Sequence, residues 1–124
     1  MKSFKEIHKK LKPIPFEKDD RNFMGNYLKY LGDNKIKFRF DPRLKEEGLI
    51  NSYEECNELG MIVIACEQME CSWAFVKSKK NYSLLLCDWH EGTWSVHAES
   101  DNFQEIFKPL HAIVKPHIEF FKDD

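Results

Sequence analysis

The chain has 124 residues, 42% hydrophobic and 14% aromatic, which suits one compact domain over residues 1–124 and is too little for two. That apolar content excludes a disordered chain. The longest apolar run, Met61 to Cys66, is far short of the roughly 18 residues a helical membrane span needs.

Ser3 and Glu6 form a capping-box pair, and Phe4, Ile7 and Leu11 fall at helical spacing, so residues 3–11 read as a short amphipathic helix ended by Pro13 and Pro15. A second helix is expected from Asp19 or Asp20, with Phe23, Tyr27, Leu28 and Leu31 as its apolar stripe and Gly32 as its C-terminal cap. Lys35 to Phe40 alternates strictly, with Ile36, Phe38 and Phe40 on one face, the pattern of a strand near a sheet edge that Asp41 and Pro42 close. Ser52 with Glu55 begins another short helix, which Gly60 can stop.

Four strand-like runs follow: Met61 to Cys66, Cys71 to Lys77, Tyr82 to Cys87 and Thr93 to Ala98. Their connections of four or five residues are too short for parallel crossovers, so the sheet is expected to be largely antiparallel. In the last strand Trp94, Val96 and Ala98 are expected on one side and Thr93, Ser95 and His97 on the other. Ser100 or Asp101 can cap a C-terminal helix with the stripe Phe103, Ile106, Phe107, Leu110, Ile113, Val114, Ile118 and Phe121, which Pro109 and Pro116 should kink or divide. The sum is an α+β domain with a five-stranded sheet and element order ααβαββββα.

If residues 61–98 form an up-and-down meander, the turns at 67–70 and 88–92 share one end of the sheet. That end then gathers Glu67, Glu70, Asp88 and Glu91 around Trp89 and His90, while Lys77, Lys79 and Lys80 lie at the other. An acidic rim around an aromatic side chain suits protein binding, because Trp adds large contact area at low entropy cost. The same sequence allows Trp89 to fold back on its own hairpin.

Charge supports a protein partner over nucleic acid. Up to Gly48 there are 13 Lys and Arg against 8 Asp and Glu, and thereafter 6 against 13. The basic half interleaves acidic residues and has no aromatic stacking platform, whereas the acidic half favours a basic partner. The charged N-terminus lacks the apolar stretch of a secretory signal, so a cytoplasmic location with Cys56, Cys66, Cys71 and Cys87 as free thiols is expected. No phosphate-binding motif occurs, and no cofactor or catalytic residue is expected. The alternative is a small zinc- or thiol-dependent enzyme drawing on Cys66, Cys71, Cys87 and His90, although residues three apart on a strand, such as Cys87 and His90, point to opposite faces.

The order of three segments carries a resemblance: Glu58-Leu-Gly-Met-Ile-Val-Ile-Ala-Cys, then Cys71-Ser-Trp-Ala-Phe, then Gly92-Thr-Trp-Ser-Val-His leading to Ser100, Phe103 and Phe107. Together they resemble the core of the SUKH superfamily, which includes bacterial immunity proteins and a fungal cell-wall-synthesis regulator. The resemblance implies an α+β binding domain without shared catalytic residues, commonly one that neutralises a toxin, often a nuclease. An intracellular regulatory adaptor using the same surface is equally compatible with it.

Overall fold

A computed structural model describes residues 4–122. Ser3, half of the expected first capping pair, lies outside them. Helices α1 (Phe4–Leu11) and α2 (Lys18–Asp33) precede the short strand β1 (Phe38–Arg39), helices α3 (Pro42–Glu46) and α4 (Tyr53–Glu58) follow, and then come β2 (Met61–Cys66), β3 (Cys71–Lys77), β4 (Tyr82–Asp88) and β5 (Thr93–Ser100). A 3-10 turn at Phe103–Ile106 leads into α5 (Phe107–Lys122). The fold is α+β, with one five-stranded sheet in the order β1-β2-β3-β4-β5 and every neighbouring pair antiparallel.

Period-two alternation sorts the sheet residues into two cores. On one face Ile62, Ile64, Cys66, Cys71, Trp73, Phe75 and Leu84 pack with Met24 and Leu31 of α2 and Leu110, Val114 and Ile118 of α5. Rings bind these two helices together: Phe23 lies 4.8 Å and Tyr27 5.0 Å from Phe107, centroid to centroid. On the other face Met61, Val63, Ala74, Val76 and Leu85 pack with Leu44, Ile50 and Cys56 from the segment that holds α3 and α4. Because β2 and β3 are covered on both sides, all their residues are buried.

Several local expectations change, the first being the strand expected over residues 35–40, which is confined to Phe38–Arg39. Helix α2 runs through Gly32 and ends at Asp33; the left-handed residue is Lys35 (φ 67°), with Ile36 N donating to Leu31 O at 2.9 Å and Lys35 N to Gly32 O at 2.9 Å. This is a Schellman closure in which the buried pair Leu31 and Ile36 repays the strain of a non-glycine residue at the turn. Asp41 and Pro42 do end β1 but also start α3, Asp41 as N-cap to Arg43 N and Pro42 as first helical residue. In β5 a bulge at His97 sets Ala98 opposite Leu84 and Val96 opposite Leu85, so Ala98 turns to the α2–α5 side and leaves Trp94 and Val96 on the other. Asn102, rather than Ser100 or Asp101, caps the turn that begins the C-terminal helix; Pro109 sits in the first turn of α5, where its missing N–H costs nothing, and α5 continues through Pro116.

Candidate functional site

The antiparallel register puts the β2–β3 and β4–β5 connections at one end of the sheet, as Cys66 pairs with Cys71 and Asp88 with Cys71 and Thr93. Glu67 opens the 3-10 turn Glu67–Met69, and Glu70 turns the chain back in the left-handed region (φ 51°). In the facing connection Asp88 organises the turn: its carbonyl accepts from Gly92 N at 2.8 Å and its Oδ1 from His90 N at 2.9 Å. The two loops are tied by Trp89 N donating to Glu70 O at 3.0 Å and by His90 Nε2 meeting Glu70 Oε2 at 2.6 Å.

All six residues expected at this end are therefore together, with unequal exposure. Glu67, Glu70, Asp88, His90 and Glu91 are exposed, whereas Trp89 is half-buried. Its Nε1 donates to the buried Ser72 Oγ at 2.8 Å, so the indole folds back against β3 instead of standing free. Arg39 on β1 meets Glu67 at 2.6 Å, with both side chains about half exposed or more. Four carboxylates against Arg39 leave three negative charges at the rim when His90 is neutral and two when it is protonated. The hydrogen bond to Glu70 and the charges of Glu70 and Asp88 raise the His90 pKa above its ordinary value.

Beneath the rim lies a polar network with no counterpart among the sequence expectations. Asp41, 1% exposed, receives the backbone N–H and two guanidinium N–H groups of Arg43, and Arg43 Nη1 donates to Cys87 Sγ at 3.1 Å. The guanidinium also reaches Ser72 Oγ at 3.3 Å and lies 5.6 Å from the Trp94 ring centroid. Burial alone would push the Asp41 carboxyl up, but hydrogen bonds from Arg43 and Ser72, with the Arg43 charge, hold it below the ordinary carboxylate range. The network fixes Ser72, and Ser72 fixes Trp89. The Asp41-Pro42 pair was the available signal, because an N-cap followed by proline at the first helical position marks a helix start and so places Arg43 over the sheet.

Cys66, Cys71, Cys87 and His90 do not converge on one site, although Cys66 and Cys71 are paired across β2 and β3. Cys66 and Cys71 face the α2–α5 core, Cys87 faces Arg43 on the opposite side, and His90 stands in solvent against Glu70. Among the described residues no group of three or more His, Cys, Asp and Glu is placed to hold a metal ion. Burial raises the Cys71 thiol to about 12, with Cys66, Asp88 and Cys87 adding to the shift, and Cys56 likewise to about 12. A cleft of about 480 Å³ lies at the far end of the sheet, lined in part by Asp19, Asp20, Tyr82 and Asp101. Its buried carboxylate is engaged, since Asp20 accepts from Tyr82 Oη at 2.8 Å and lies 4.0 Å from Lys77 Nζ.

No family model matches this chain. Searches of curated proteins and of solved structures likewise return no match.

Proposed function

We propose that this chain is a non-catalytic protein-binding domain, similar in role to a toxin-neutralising immunity protein, which holds a basic protein partner through the rim of Glu67, Glu70, Asp88, Trp89, His90 and Glu91. The observation that carries the reading is the convergence of four exposed carboxylates on two loops pinned to each other at Glu70. Ordering such a surface before contact lowers the entropy a partner must overcome, and a concentrated negative potential speeds the encounter with a positive one. A nuclease toxin is the partner class that fits best, because a cationic substrate groove presents the charge this rim complements. Trp89, held by Ser72, gives the rim a rigid aromatic centre.

The test is affinity capture from the source lysate at low and moderate salt, using the wild-type chain and a Glu67→Lys, Glu70→Lys, Asp88→Lys, Glu91→Lys variant. A stoichiometric basic protein should be held by the wild type, released as salt rises, and associate at least about tenfold more slowly with the variant at low salt. Because Asp88→Lys also removes the acceptor for His90 N, the variant's folding is verified by circular dichroism and unfolding before its binding is compared. A partner retained equally by the variant overturns the reading.

A further inference from the structure

Cys66 and Cys71 are directly opposed across the β2–β3 ladder and close its four-residue connection. We infer that Cys66 and Cys71 form a reversible intramolecular disulfide, a redox modification site at the mouth of this hairpin. Directly opposed residues in an antiparallel pair have Cα atoms about 4.5–5.5 Å apart, within the range of about 4.4–6.8 Å that disulfides span. Their Cβ atoms also leave the sheet on the same side, and both side chains enter the same core. Other thiol pairings lack this geometry: Cys87 leaves the sheet on the Arg43 side, and Cys56 packs with the core on that side too.

A second observation concerns Cys66. It is the residue preceding the 3-10 turn, and its thiol donates to Gln68 Oε1 at 3.6 Å. The neighbouring Met69 and Gln68 amides offset part of the burial penalty on a Cys66 thiolate, although its pKa stays above the ordinary thiol value. Cys71 is the more accessible of the two, 7% exposed against 0%. With hydrogen peroxide as oxidant, the Cys71 thiolate attacks one peroxide oxygen, giving a sulfenic acid and, once the leaving hydroxide is protonated, releasing water. The Cys66 sulfur then attacks the sulfenic sulfur, forming the S–S bond and releasing a second water. Two thiols and one peroxide become one disulfide and two waters. Oxidised glutathione forms the same disulfide by exchange, through a mixed disulfide and with release of two reduced glutathione molecules, and a dithiol returns the pair to thiols. Burial keeps both thiols protonated at neutral pH, so the reaction is slow and is best read at equilibrium.

The inference does not depend on the identity of any partner. The folded chain is incubated to equilibrium in oxidised and in reduced glutathione, free thiols are alkylated in denaturant, and the intact mass is recorded. Cyanogen bromide then cuts at Met61 and Met69, and the second cut separates Cys66 from Cys71. The oxidised sample should stay monomeric and carry two alkyl groups where the reduced one carries four, and fragment 62–69 should stay attached to fragment 70–124 until reductant is added. The attachment should persist in Cys87→Ser and vanish in Cys71→Ser. Four alkylated cysteines after oxidation, disulfide-linked dimers alone, or an attachment that survives Cys71→Ser would overturn the inference.

Discussion

The two ends of the sheet use charge differently. At the far end Lys77 is 8% exposed and sits among Glu17 at 3.3 Å, Asp20 at 4.0 Å and the Tyr82 ring at 5.5 Å, while its backbone joins Gly60 and Ile14 on either side. At the rim end the pairs Arg39–Glu67 and His90–Glu70 stand in solvent. Exposed pairs contribute little to folding, whereas a buried charge that loses its partner is costly. The far end thus uses its charges to close the fold, and the rim end keeps its charges available.

The Asp41–Arg43 pair sharpens that comparison, because it lies beneath the rim yet is buried like the far end. Arg43→Ala strands a carboxylate whose side chain is 2% exposed, and because the Arg43 side chain is itself 36% exposed and water can take its place, the cost at neutral pH should be about 3 kcal/mol, the low end for a broken buried pair. In the wild type the depressed Asp41 pKa contributes stability above the ordinary carboxylate range, and this is lost as pH falls through the lowered value. In the variant burial acts unopposed by Arg43, the carboxyl is pushed up, and protonation relieves the penalty. Denaturant titrations should therefore show the gap between the two proteins narrowing as pH falls; a constant gap would mean that Arg43 acts through packing alone.

Gly60 tests the far end. It has φ 78°, and a Cβ there would overlap the Ile14 carbonyl, so Gly60→Ala should lower stability by about 3 kcal/mol through strain and displacement of the segment before α2. Gly92, at the rim, has a similar φ of 71° and open space around it. Its alanine variant should cost about 1 kcal/mol, the conformational strain alone. Equal losses at the two glycines, measured by thermal or denaturant unfolding, would erase the distinction between the ends.

What the sequence made legible follows the range of the forces involved. The β2–β5 meander and the gathering of the rim could be read because strand period and short connections are local constraints. Ser52 and Glu55 were likewise readable as a cap, and Ser52 Oγ does accept from Glu55 N at 3.1 Å. Lys35 in place of Gly32 could not be read, since the left-handed turn is repaid by Leu31 meeting Ile36 inside a core assembled from distant segments. The bulge at His97 keeps a tidy alternation in sequence while shifting Ala98 to the other face. The role of Arg43 could not be read, because its partners Ser72 and Cys87 lie 29 and 44 residues away.

The smallest expected effect lies on the rim itself. His90 should titrate above the ordinary histidine value, and in Glu70→Gln its pKa should fall back toward that value, as followed by its ring protons in NMR. A raised histidine pKa contributes stability that is fully present below the unfolded value and lost as pH rises through the folded one. Because the His90 side chain is 73% exposed, that contribution should be undetectable in unfolding experiments, unlike the Arg43 case. Its consequence is instead electrostatic: as pH rises through the His90 pKa the rim passes from two net negative charges to three, so a basic partner should associate faster on the alkaline side. An unchanged His90 titration in Glu70→Gln would show that the two loops are tied by Trp89 and the backbone alone, leaving the rim charge insensitive to Glu70.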